Sequence, residues 1–520
     1  MTLAIAGAAC VPPAIVGDSI ATAAADAHPD FDNDGFADLA AGAAGEGNAA
    51  GGVFVFYGAA TSTAGRQQYF TQDTAGIGGL AVPDDAFGAA VAAGNFNGDA
   101  FDDLAIGVPG DDISGQTDAG AVHVLYGSVS GLTANGSEWW HQDRAGIAGR
   151  PIAGDLFGTA LATGDFDGDG RDELAIGTPG ESTGSHRNAG SVTVLVGCSC
   201  GLTGAGSKLL TQDTPDVGST PADDDTFGFS LAVGRFGGDA RDDLVVGVPG
   251  ETVSAHPGAG GVHVFAGTPT GLTGNGSQLW HEGILGIGAA NGPEDFDLFG
   301  WSVAAGDLNR DGKDDVAVGA PGEYRSGIPF AGSVFVIRAD GGLLGTDGAQ
   351  MLHEDTTGIA GSSSPNQEFG HAVLIAAIRG DGGTPRNALV VGVPYENAGS
   401  AAEAGLVHVL PSSGSGVTAT GSQWFSLATN GVPGAATPGG WFGITLGASD
   451  TDGDGIAELV VGSPGEDVGA PAKFAAGALT RLGDAAGVPS ATGSVHWDQN
   501  TPGIFGSPGT TDFFASALTF

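Results

Sequence analysis

Positive charge is what this chain most lacks. Of its 520 residues only 16 are lysine or arginine, against 60 aspartates and glutamates, for a formal net charge of −44. That balance argues against nucleic acid as a partner, because binding it depends on basic side chains that neutralise phosphates. Divalent cations or basic ligands fit better. Cysteine is nearly absent, with three residues. Cys10 lies near the start, and Cys198 and Cys200 stand one residue apart, poorly placed for a relaxed disulfide; the pair reads as an accident of a surface loop. Beyond residue 27 no run approaches the ~20 continuous apolar residues of a transmembrane helix, and no segment of useful length has helical period.

Glycine, by contrast, is abundant: 97 residues with no every-third-residue period, which excludes collagen and points to many tight turns. Residues 1–27 are rich in alanine and carry a small-residue cleavage candidate at Ala25-Asp26-Ala27. They lack a basic start, and Pro12-Pro13 and Asp18 interrupt the apolar run. The segment resembles a secretory signal whose start is misplaced, so export to the cell surface or medium is expected, with residues 28–520 as one domain.

That domain is repetitive. Phe-Gly pairs recur at Phe87, Phe157, Phe227, Phe299, Phe369 and Phe442, spaced 70 to 73 residues apart. Eight residues after each begins a cluster, at Asn95, Asp165, Arg235, Asp307, Ala377 and Asp450. One more cluster opens at Asp30 with no Phe-Gly ahead of it, and the chain ends in a Phe-Gly-type segment, 512–518, with no cluster behind it. Front and back halves of one repeat at opposite ends of a chain are the mark of a closed ring. A ~70-residue repeat of short strands and turns fits a blade of four antiparallel strands, so seven repeats predict an all-β, seven-bladed β-propeller. The third repeat predicts strand A over 157–163, B over 174–177, C over 191–197 and a short strand D. The small residues of strand A suit strands that converge on an axis, and pairing of the last strand A with the N-terminal blade would close the ring.

Between strands A and B lies D-x-D-x-D-G-x-x-D, whose physics is that of a calcium loop. Ca²⁺ takes six to eight hard oxygens; carboxylates at alternate positions can point into one concavity, glycine permits the turn, the seventh residue offers its carbonyl and the ninth closes the site. Four loops carry the pattern: Asp30, Asp32, Asp34, Phe36 and Asp38; Asp165, Asp167, Asp169, Arg171 and Glu173; Asp307, Asn309, Asp311, Lys313 and Asp315; Asp450, Asp452, Asp454, Ile456 and Glu458. A fifth, Asn95, Asn97, Asp99, Phe101 and Asp103, has fewer charges and Ala100 where glycine is expected, which predicts weaker binding. In the fourth repeat Arg235 and Gly237 replace two ligands, and in the sixth, 377–389, the pattern is gone; both are expected to be metal-free.

Phe-Gly, then the acidic loop, then Gly319-Ala320-Pro321 resembles the FG-GAP repeat, and residues 28–520 resemble the propeller at the N-terminus of integrin α subunits and bacterial exported proteins built from such repeats. The resemblance implies calcium in the A–B loops on one face and recognition of a protein or glycan through the B–C and D–A loops on the other. It does not carry over a ligand. Repeat spacing leaves no room for an inserted metal-binding domain, and the leg domains and membrane anchor of an integrin are absent from this sequence.

Candidate catalytic signals are few. Gly180-Glu181-Ser182-Thr183-Gly184 matches a nucleophile elbow, but that motif needs a strand-to-helix turn and here precedes a strand. His123, His263 and His408 share one strand C position in separate blades and read as packing residues. Glu46, Asp111, Glu181, Glu251, Glu323, Glu396 and Glu466 recur in the Pro-Gly-Glu turns, either accepting turn hydrogen bonds or forming an acidic ring for a cation or basic ligand. Asn135-Gly136-Ser137 and Asn275-Gly276-Ser277 match glycosylation sequons, but Ala205-Gly206-Ser207 and Thr420-Gly421-Ser422 keep the Gly-Ser without the Asn, so what recurs reads as a turn before strand D. The expectation is a monomeric, calcium-stabilised binding or adhesion module without catalytic activity. The competing reading is a hydrolase of the glycosylphosphatidylinositol phospholipase D kind or a propeller lyase.

Overall fold

The computed structural model describes residues 29–519 apart from 60–65, 287–291, 340, 382–383, 470–471 and 486. The leader expected over 1–27 lies outside the described residues. Seven antiparallel sheets account for the strands, six of four strands and one of five. Each blade runs outward from strand A to strand D. In the third blade these are Ala160–Gly164, Glu173–Thr178, Ser191–Cys198 and Gly201–Leu210, with Gly164 opposite Glu173 and Thr178 opposite Ser191. The first blade takes its strand A from the far end of the chain: Phe514–Leu518 pairs antiparallel with Leu39–Ala43. The ring is closed as the repeat pattern predicts. Only two four-residue helices, Glu46–Ala49 and Glu282–Leu285, occur among the described residues, and none of their helices is long and apolar enough to cross a membrane.

The Phe-Gly pair does not begin strand A. Phe157 instead makes a parallel bridge to Gly120 of the preceding blade, and Gly158 turns the chain at φ 94°, so the strand starts at Ala160. The same bridge recurs at Gly51–Phe87, Gly190–Phe227 and Gly260–Phe299. The phenylalanine is fully buried at every repeat, and in three blades it packs on the strand C histidine of its own blade, Phe87 on His123 and Phe227 on His263 at 5.6 Å and Phe369 on His408 at 5.5 Å between ring centres. The Phe-Gly glycine abuts the strand B glycine of the preceding blade: a Cβ on Gly177 would stand 2.1 Å from the Gly228 carbonyl oxygen of the next blade. The Phe-Gly pair and the strand B glycine are therefore the hinge and the clearance by which one blade seats on the next.

Three local expectations change. Strand D is short only in the first, fourth and sixth blades; elsewhere it runs eight to ten residues, as in Thr133–Trp140 and Gly201–Leu210. The Gly-Ser turn lies before strand D in the fourth and sixth blades but inside it in the second and third, where the ladder shifts register. Cys198 and Cys200 are joined in a disulfide at the strand C to strand D hairpin, with Cα atoms 5.2 Å apart. The hairpin turn brings two near neighbours to an ordinary bridging distance, which linear spacing does not reveal.

Candidate metal centres and blade junctions

In the A–B loops the first carboxylate organises the turn. Asp165 accepts hydrogen bonds from the backbone N–H groups of Gly168, Asp169 and Gly170 at 2.7 to 3.0 Å, and Asp450 does the same for Gly453, Asp454 and Gly455 at 2.8 to 3.1 Å. The fifth-position carboxylates fold inward on the turn as well: Asp34, Asp169 and Asp454 accept from the N–H of Phe36, Arg171 and Ile456. The ninth-position carboxylate heads strand B, is buried, and accepts the N–H of the loop's second residue, as Asp38 does from Phe31 at 2.8 Å and Glu173 from Phe166 at 2.9 Å.

Three of the four loops with the full pattern bring three carboxylates together. Asp30 with Asp32 and Asp38, Asp165 with Asp167 and Glu173, and Asp450 with Asp452 and Glu458 each offer oxygens within 4.8 Å of one another. The positions that converge are the first, third and ninth. In the fifth blade the third position is Asn309, whose amide donates to Asp315 at 3.3 Å, so the same geometry carries one charge fewer. In the second blade Asn97 donates to Asp99 and Asn95 to the Asp99 carbonyl, satisfying internally what the acidic loops leave open.

The acidic loops fit a cation on two observations. Asp32 Oδ1 and Glu173 Oε1 are buried oxygens without a hydrogen-bond donor. Burial, with neighbouring carboxylates adding to it, pushes the Asp38 and Glu173 carboxyls up to about 8. Buried like charges are costly unless paired or coordinated, and a divalent cation held by the first, third and ninth residues and the seventh carbonyl would supply that pairing. The fourth blade solves the problem with protein charge: Arg235 Nε donates to Asp242 at 2.9 Å and Arg241 pairs with Asp239. The sixth replaces the loop with a long hairpin, Ala372–Asp381 paired with Thr384–Val393.

A further set of residues was not singled out by the repeat pattern. The eighth loop residue, Asp102, Asp172, Asp242 or Asp314, accepts the backbone N–H of the first loop residue of the preceding blade, Asp30, Asn95, Asp165 or Arg235, at 2.7 to 2.9 Å. The loops are thus tied edge to edge. The signal was present as paired acids, Asp102-Asp103, Asp172-Glu173, Asp242-Asp243 and Asp314-Asp315. The recurring serine hydroxyls do similar work: Ser137, Ser207 and Ser422 donate to Gly76, Gly146 and Gly358 carbonyls at 2.7 to 2.8 Å.

On the opposite face the Pro-Gly-Glu carboxylates are not an open ring. Each is buried or half-buried and most meet the preceding blade's strand D end. Gln72 donates to Asp111 at 3.5 Å, Gln142 to Glu181, Gln212 to Glu251 at 2.5 Å and Gln499 to Glu46 at 2.5 Å. Burial and the aspartate two residues before Phe-Gly push Asp111 and Glu251 up to about 7. Four of the seven carboxylates thus accept amides across blade junctions, and Asp111 and Glu396 also take a turn N–H, from Asp112 and Asn397. Ser182 of the elbow-like motif lies in the loop between the third blade's strands B and C, with no helix after it. His123, His263 and His408 are buried in separate blades, as expected of packing residues.

Five segments match the FG-GAP repeat: residues 23–56, 87–125, 157–195, 299–337 and 442–479. They are the first, second, third, fifth and seventh blades, whose loops keep the acidic pattern; the fourth and sixth, where it is broken, are not among them. The chain is 30% identical over 251 residues to integrin alpha-5 of Xenopus laevis, covering 47% of this chain and 20% of that protein. It is 31% identical over 247 residues to integrin alpha-PS2 of Drosophila melanogaster, covering 46% and 16%. It is 25% identical over 406 residues to phosphatidylinositol-glycan-specific phospholipase D of Homo sapiens, covering 74% and 44%. The chain thus spans less than half the length of each of these relatives.

Proposed function

We propose that this chain, a propeller of FG-GAP repeats similar to integrin alpha subunits, is a calcium-held extracellular binding module. In this reading Ca²⁺ sits in the A–B loops of the first, third, fifth and seventh blades and more weakly in the second, and rigidifies one face. A protein or glycan is recognised on the other face by a monomer that performs no chemistry. The observation that carries the recognition face is the placement of exposed apolar side chains. Leu80, Val82, Ile284, Phe296 and Phe505 stand in D–A loops and Phe474 in a B–C loop, while among the described residues three other large apolar side chains, Val129, Leu209 and Trp424, are exposed elsewhere. Exposed aromatic and aliphatic groups on one face are the raw material of an interface.

The test is a matrix-protein and glycan array probed with the full chain in calcium, alongside Phe474→Ser and Phe505→Ser variants. Binding that both variants lose supports the reading; binding they leave unchanged moves recognition off this face. A second reading, a lipid-anchor hydrolase, draws on the longer match to the phospholipase. Release of an inositol-phosphate-glycan anchor by the purified chain would establish it.

A further inference from the structure

Each blade junction on the loop face opposite the A–B loops brings together three side chains. One ends strand D, one stands two residues before Phe-Gly, and one follows Pro-Gly in the next blade. The sets are Gln72, Asp85 and Asp111; Gln142, Asp155 and Glu181; Gln212, Asp225 and Glu251; and Gln499, Asp512 and Glu46. In all four a glutamine amide supplies N–H donors to the carboxylates. Between the fifth and sixth blades the set is Glu354, Gln367 and Glu396, with the amide moved by one place and Glu354 held by His408 at 3.0 Å. Between the sixth and seventh, Leu427 and Gly440 replace two members and His496 faces Glu466 at 3.4 Å.

The junction between the fourth and fifth blades alone has three carboxylates and no amide: Glu282, Asp297 and Glu323. They are 7%, 0% and 3% exposed, and an oxygen of each lies within 4.8 Å of the others. Glu282 Oε1, Asp297 Oδ1 and Glu323 Oε2 meet no hydrogen-bond donor. The nearby charges do not offset them. Arg325 Nη1 lies 3.4 Å from Glu323 Oε1, while Glu294 and Asp295 add negative charge. The nearby imidazoles are engaged elsewhere: His281 Nδ1 accepts the Gly283 N–H, and His353 Nε2 lies 3.1 Å from Arg325 Nη2.

We propose that Glu282, Asp297 and Glu323 hold a hard divalent cation, which takes the place of the glutamine amide used at the sister junctions. Oxygens bound at 2.3 to 2.6 Å stand up to about 5 Å apart across an ion, the span these carboxylates occupy. Three carboxylates against one guanidinium leave two negative charges, the charge of one such ion. The site is separate from the A–B loops, lies on the opposite face, and does not depend on the binding role proposed above.

The experiment counts ions on the full chain, stripped with EDTA, equilibrated with Ca²⁺ or Mn²⁺ and analysed by mass spectrometry of the metals. Glu282→Gln restores the sister-junction amide and is expected to lose one equivalent, with its circular dichroism unchanged. Glu323→Gln provides a second loss variant should the first fold poorly. Gln212→Glu builds three carboxylates at the junction between the third and fourth blades and is expected to gain one equivalent. Equal counts for the unchanged chain and Glu282→Gln overturn the proposal, as does a Glu282→Gln variant whose melting gain is the same in calcium and in chelator, the mark of a shared proton. Asp165→Asn and Asp167→Asn remove ions from the third-blade loop independently, so failure of the loop sites and failure of this site give different counts.

Discussion

The third and fourth blades have the same topology, the same strand lengths to within two residues in strands A and B, and opposite loop chemistry. In the third, Asp165, Asp167 and Glu173 converge with a donorless Glu173 oxygen among them. In the fourth, Arg235 stands where the first carboxylate would be and pairs with Asp242, and Gly237 removes the next ligand. Both loops still pass their first N–H to the following blade's aspartate, Asp242 and Asp314. The tie between loops is thus kept whether or not the loop concentrates negative charge, and a cation is expected only where it does.

Removing calcium is the largest way to test that contrast. A ligand at a hundred times its dissociation constant stabilises by about 2.7 kcal/mol per site, so chelation is expected to lower the melting midpoint by an amount that several loops share. Hydrogen exchange should then rise in the first, third and seventh A–B loops and stay unchanged in the fourth and sixth. A uniform rise across all blades would break the comparison.

Acidity tests it next. Burial holds Asp38, Asp103 and Glu173 up to about 8, whereas an unfolded chain ionises such groups near 4. Without a cation the folded state binds more protons than the unfolded one between those values, so stability in chelator falls as pH rises from about 4 to about 8 and levels off above it. Saturating calcium is expected to flatten the slope, read by chemical denaturation at fixed pH. The same slope with and without calcium would show that these carboxylates are not ligands.

A smaller effect is expected from Arg235→Asp, which gives the fourth loop a first-position carboxylate while leaving Asp242 unpaired. Arg235 is nearly half exposed, so the loss in chelator should be roughly 1 kcal/mol, part of it recovered in calcium. Recovery measures how far one residue separates an ion loop from a protein-charge loop. The smallest is Ser137→Ala, which deletes the hydroxyl tie to Gly76 at 2.7 Å and should cost about 0.5–1 kcal/mol. A null result would leave the backbone bridge Gly51–Phe87 as the main link between these two blades.

The repeat of Phe-Gly, acidic loop and Gly-x-Pro was sufficient to read the blade count, the ring closure and the positions of the candidate ligands, because these are local patterns copied at fixed spacing. What escaped was everything that joins one copy to the next. Nothing in the repeat pattern gives Asp172 a partner; the structure sets it against the Asn95 N–H of the blade before. Nor does the pattern pair Gln142 with Glu181 across the next junction. The Cys198–Cys200 bridge waited on the hairpin that brings the two together. Periodicity determines what each blade contains, since a strand's alternation and a turn's glycine act over a few residues. Which carboxylates remain charged, and which need an ion, an amide or an arginine, was decided only when blades packed side by side. Burial and the partner across a junction, and no property of the residue itself, set those energies.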